Sequence, residues 1–199
     1  HVSLLRVMGQ IYIDAHYWDR AETLLKELQP LVSEQPHLAK ETMLQLAVVY
    51  DKQDQIQPLE TLLKDGIEKY PDSAQLYNFL GYTYADRDMK LEEALKLIQK
   101  ALDLSPKDGN IVDSLGWVYY RMGQYEEAIK HLTQAAQMEE NHPVILDHLG
   151  DAYMQLGKRR DALDRWQKAL KYGPQYPFEF TSAFREKVKE KIENAKTDM

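Results

Sequence analysis

The sequence predicts an all-α chain: a solenoid of about five helix-turn-helix units followed by a C-terminal capping helix. Three observations carry this. First, the stretches VMGQIY, QLAVVY, FLGYTY, SLGWVY and HLGDAY each place a large apolar residue before a tiny one, with an aromatic ring three residues later. Second, the tiny residues Gly9, Ala47, Gly81, Gly116 and Gly150 are separated by 38, 34, 35 and 34 residues. A period near 34 is the signature of stacked helical hairpins, in which each unit buries its apolar face only against its neighbours. Third, Pro and Gly fall between the periodic stretches. Pro106 and Pro174 stop helices because proline lacks the backbone donor a helix interior needs, and Gly123 and Gly157 follow first helices, where a left-handed cap favours glycine.

Taken in order, the first unit pairs helices at about 2–15 and 18–34, with an insertion of about four residues around Pro30 to Pro36. The second pairs 40–52 with 56–70. Asp54 and Gln57 there have capping-box spacing, and Pro58 is tolerated only within a first turn. The third pairs 74–87 with 90–104 and carries one extra residue in its turn, between Asp86 and Lys90. The fourth pairs 109–122 with 125–139, and the fifth 143–156 with 159–172. Within each, the large apolar residue before the tiny one (Met8 in the first unit, leucine in the rest) and the aromatic residue after it lie on one helix face and pack into the hairpin. A cap helix over about 180–195 carries Phe184, Val188 and Ile192 at i, i+4, i+8 amid Arg, Lys and Glu. One apolar stripe on a polar helix suits the end of an array.

These residues resemble the tetratricopeptide repeat, with its pattern W-x2-L-G-x2-Y…A-x3-F…P. The best unit has Leu146, Leu149, Gly150, Tyr153, Ala162, Trp166, Ala169 and Pro174 at the signature places; the second, with Leu59, Leu63 and Gly66 where Ala, Phe and Ala belong, is weakest. The resemblance implies a right-handed α-solenoid, with repeats at about 2–39, 40–73, 74–108, 109–142 and 143–176 inside residues 1–176, and a cap and tail over 177–199. The first helix of each repeat would line a concave face, and ligand contacts would fall at repeat places 2, 5, 9, 12 and 13. On that pattern the candidate groove residues are Asn78, Tyr82, Asp113, Trp117, Tyr120, Arg121, Asp147 and Asp151, with Tyr119 a framework residue. Aromatic and arginine side chains dominate binding hot spots. Trp117 has a competing reading, as packing between adjacent first helices, and groove contact is preferred. The places at which carboxylate-gripping members of this family carry Lys, Arg and Asn hold Asn78, Asp113 and Asp147, so a neutral or basic extended protein segment is the expected partner.

With 32 acidic against 25 basic residues, the net charge of −7 disfavours nucleic acid. The cluster Lys158-Arg159-Arg160, followed by Asp161, reads as a solvated turn. The absence of cysteine excludes disulfides and thiolate metal sites, and no apolar run approaches the ~20 residues of a spanning helix. Asp147, His148 and Asp151 cluster, but no second group completes a metal shell, and no phosphate loop or serine elbow is present, so no cofactor, metal or catalytic role is expected. The start at His1, directly before an apolar pattern, suggests a piece of a longer protein. The wording DSLGWVYYRMGQYEEA and LDHLGDAYMQLGKRRDA resembles bacterial repeat proteins that are often envelope lipoproteins or periplasmic assembly factors. The expected role is therefore a non-catalytic protein-binding scaffold, leaning towards the periplasm or envelope. The rivals are self-association through the N-terminal hairpin and a substrate-docking domain of a larger enzyme.

Overall fold

The computed structural model describes residues 2–197. Among them are eleven α-helices and no strand: α1 Val2–Asp14, α2 Trp18–Leu31, α3 Pro36–Lys52, α4 Ile56–Lys69, α5 Ala74–Asp86, α6 Leu91–Leu104, α7 Gly109–Arg121, α8 Tyr125–Met138, α9 Pro143–Gln155, α10 Arg159–Tyr172 and α11 Ser182–Thr197. The chain divides into two compact units, 1–83 and 84–199, and the division falls inside α5.

In the first unit α1 packs on α2, α2 on α3 and α3 on α4. The second has the same succession from α6 through to α11. Small residues permit the close approach. A Cβ at Gly116 would lie 2.6 Å from Leu132 Cγ and 3.1 Å from the Leu132 backbone nitrogen; one at Gly150 would lie 2.5 Å from the Trp166 indole nitrogen. The second helices bury the expected small residues: Ala94 and Ala101, Ala128 and Ala135, Ala162 and Ala169 are all fully buried.

The hairpin turns share a backbone feature that composition only half reveals. Counting each repeat from residues 2, 40, 74, 109 and 143, the fifteenth place is left-handed in all five: His16, Asp54, Asp88, Gly123 and Gly157 have φ between 57° and 74°. Three of the five meet that requirement without glycine, in side chains that tolerate the region better than most. This overturns the capping box at Asp54: that residue sits in the turn, and Gln55 precedes α4 with no side-chain cap. Pro58 does fall within the first turn of α4. Around Pro30 to Pro36 the extra residues do not form a long loop. α2 runs through Pro30, and α3 begins at Pro36, giving a helix of 17 residues, because proline at the first position is pre-set for a helix start.

The C-terminal helix α11 lies on α10. Val188, Ile192 and Ala195 are buried against Ala162 and Trp166, with Phe184 half-buried beside them.

Candidate protein-binding face

The first helices of the second unit, α7 and α9, carry most of the candidate residues, and α11 completes the site. α7 starts cleanly because the Asp108 side chain accepts from the Asn110 N–H at 3.0 Å. Almost all of α7 up to Val118 is buried, so the residues expected to face a groove there have protein neighbours.

Asp113 is buried, and both of its carboxylate oxygens lie 3.0–3.1 Å from Nδ1 of His148 on α9. Trp117 is only 6% exposed. Its indole stacks between the Tyr120 ring, at 4.7 Å, and the His148 imidazole, at 4.1 Å. The expectation that Trp117 projects into a groove is therefore corrected: the ninth place of α7 lies against the sixth place of α9, and His148 covers it. Tyr119, the expected framework residue, is half-buried and stacks on His131 at 5.3 Å. The Trp117 Nε1–H has no hydrogen-bond partner among the described residues.

Asp147 and Asp151 are likewise not free acidic groups. Lys191 of α11 reaches both, with its Nζ 2.7 and 2.8 Å from the Asp147 oxygens and 2.7 Å from Asp151. The Asp147 side chain is 5% exposed and that of Lys191 19%. The Trp166 indole N–H donates to Asp151 at 3.1 Å. Arg121 is also engaged: it donates to the Asp86 carbonyl at 2.8 Å, pairs with Asp88 at 3.5 Å and lies 5.9 Å from the centre of the Trp117 ring.

Three of the five repeats, the first, fourth and fifth, carry a charge at the fifth place, and all three are paired. Arg6 meets Glu41 at 2.7 Å, Asp113 meets His148 and Asp147 meets Lys191, so each of these charges is met from the helix two further along the chain. Burial disfavours the His148 imidazolium, but Asp113, with Asp147 and Asp151 behind it, outweighs that cost and holds its pKa above the usual histidine value. Burial likewise opposes the Lys191 ammonium, and Asp147 and Asp151 more than compensate, raising its pKa. Asp151 is pushed up by burial and by Asp147, with Lys191 pulling back.

What remains accessible is a cavity of about 280 Å³ where α7, α9 and α11 meet, lined by Tyr120, Asp151, Met154, Gln155, Lys191 and Asn194 among others. The Tyr120 hydroxyl accepts from Gln155 at 3.5 Å, and burial, then Asp151, raises its pKa. Asn78 and Tyr82 lie on α5 in the other unit. Both are half-buried, and Asn78 Oδ1 is buried without a hydrogen-bond partner among the described residues. Sequence reasoning missed Lys191 and weighed His148 only as a metal or catalytic candidate. The signal for His148 was a carboxylate and a histidine 35 residues apart, one repeat period. Among the described residues no three His, Cys, Asp or Glu side chains are grouped to hold a metal ion, and no helix is long and apolar enough to cross a membrane.

The tetratricopeptide repeat family model matches residues 34–182. A TPR repeat-containing protein of Pseudomonas aeruginosa is 41% identical over 78 residues, which make up 39% of this chain and 13% of that protein, so the chain spans only a small part of its relative. The fold is similar to that of a thermophilic TPR protein of Thermus thermophilus, with TM-score 0.80, 21% identity and 98% of each chain covered. It is also similar to PilW, a type IV pilus biogenesis factor, with TM-score 0.76, 18% identity and coverage of 98% of this chain and 85% of that one. At these identities the likeness establishes the all-α solenoid fold.

Proposed function

The chain belongs to the tetratricopeptide repeat family, and from that premise we propose that it is a non-catalytic scaffold that binds a segment of a protein partner on the face formed by its first helices. The observation that carries this reading is the cavity at Tyr120, Met154 and Gln155. There an aromatic ring, a flexible apolar side chain and an amide stand together with part of their surface accessible, Tyr120 resting on Trp117 and Met154 on the α10–α11 core. Tyrosine and methionine suit such a role, because each offers a large contact area that adapts to a partner.

The preferred partner is a neutral or basic segment. The chain carries a net charge of −7, which disfavours an acidic segment. Asp113, Asp147 and Trp117 contribute indirectly, by fixing the helices that present Tyr120 and Gln155. The test is to pan a random peptide library in parallel against the wild-type chain and Tyr120→Ala. A sequence class that binds wild type and loses affinity about tenfold or more on Tyr120→Ala supports the reading, since a hot-spot aromatic costs ~2 kcal/mol when truncated. Peptides that bind both proteins equally remove Tyr120 from the site and the proposal with it.

A further inference from the structure

The outer face of α1 is apolar and uncovered. Leu4, Val7 and Ile11 are 60%, 57% and 55% exposed, spaced i, i+3, i+7 on one side of the helix, while Leu5 and Gly9 on the other side are buried, Gly9 against Leu24 and Leu25 of α2. The rest of the chain shows what normally covers such a face. Leu4 and Ile11 occupy the third and tenth places of their repeat. In α3 those places are Thr42 and Val49, in α5 Leu76 and Thr83, in α7 Ile111 and Val118, and in α9 Ile145 and Ala152. Every one of the eight is buried, none more than 4% exposed.

The cover on α9 is the second helix of the hairpin before it. Ile145 clusters with Ala135, Ala136 and Met138 of α8, and Ala152 with Ala128, Ile129 and Leu132. We infer that the outer face of α1 is a docking surface for the second helix of a further helical hairpin, lying ahead of α1 in the same repeat phase. That helix presents what α8 presents to α9: a stripe of small and branched apolar residues such as Ile129, Leu132 and Ala136. The α1 face itself bears no charge from Ser3 to Ile11 apart from Arg6, which is turned to Glu41, so an apolar stripe meets an apolar stripe.

A second copy of this chain does not offer that chemistry. Its second helices are already taken: α2 by α3, α6 by α7 and α8 by α9, while α4 holds Gly66 against Leu76 of α5. At the far end Leu163 and Leu170 of α10 are packed against the α11 cluster.

The experiment places a duplicate of residues 109–142 directly before Val2 in the full chain, continuing the repeat phase. Hydrogen exchange is then followed in the α1 amides. Docking slows their exchange about tenfold or more relative to the unfused chain, and Val7→Glu with Ile11→Glu in the fusion returns the rates to those of the unfused protein. Both positions are exposed, so the same pair in the unfused chain keeps its melting temperature and shows that α1 still folds. Unchanged exchange in the fusion overturns the inference. So does an unfused chain that sediments as a dimer and dissociates on Val7→Glu, because the face then belongs to a second copy.

Discussion

Replacing Lys191 with methionine probes the contact that ties α11 to α9. Methionine keeps most of the side chain's apolar length, so the packing of Val188, Ile192 and Ala195 is retained and the change is mainly electrostatic. What is lost is one ammonium bridging two carboxylates at 2.7–2.8 Å, of which the Asp147 side chain is 5% and the Asp151 side chain 12% exposed. Removing one partner of a buried pair costs about 3–5 kcal/mol, because the remaining charge stays buried without compensation. Lys191 is itself 19% exposed, and water can reach the vacated position, so the lower end, about 3 kcal/mol, is expected. Urea unfolding at pH 7 measures it. The loss shrinks as the pH falls, since Asp151 already has a raised pKa in the folded chain and the methionine variant raises it further, so protonation relieves the repulsion. Asp151→Asn in the same background recovers part of the loss. A Lys191→Met cost below about 1 kcal/mol, or one that does not change between pH 7 and pH 4, would mean that the bridge behaves as a surface ion pair and that α11 is held by its apolar stripe alone.

Trp117→Ala should lower stability by about 3–5 kcal/mol in a thermal or urea melt, as truncating a buried ring does, and exceed the cost of Tyr119→Ala; the reverse order would return Trp117 to the surface. Gly116→Phe and Gly150→Phe should each cost about 3 kcal/mol, since the added side chain meets Leu132, including its backbone, or the Trp166 indole; melts as stable as wild type would refute the close approach. The folded pKa of His148 lies above its unfolded value, so its contribution is fully present below about pH 6.5 and is lost as the pH rises through the folded pKa, with a slope of up to about 1.4 kcal/mol per pH unit in between. The urea midpoint should therefore fall between pH 6 and pH 8.5 in the wild type and stay nearly level in His148→Gln; parallel profiles would dismiss the Asp113–His148 pair as a source of stability.

The helices were legible because their determinants are local and repeat. Gly116 and Gly150, the alanines of the second helices and the Phe184, Val188, Ile192 stripe each state their packing role within one unit. The left-handed turn residue was legible at Gly123 and Gly157 but not at His16, Asp54 and Asp88, where side chain and backbone give no joint signal. The site was harder to read. Places 5 and 9 look solvent-facing when one hairpin is considered, and whether they are depends on what the next helix contributes. Asp113 is claimed by His148, 35 residues or one period away, so that pairing could be found by sliding the sequence; Trp117 meets the same ring from one turn further along α7. Asp147 and Asp151 are claimed by Lys191, 44 and 40 residues away, because residues 173–181 shift α11 out of the repeat phase. No fixed period exposes that contact.

The two outer faces of the described helices differ in what covers them. Leu163 and Leu170 are covered by α11, whose own sequence is rich in Arg, Lys and Glu, whereas Leu4, Val7 and Ile11 of α1 are uncovered. Length can then vary on the open side without disturbing the bridge at Lys191, and insertions or losses of whole units there are the changes this architecture tolerates most readily.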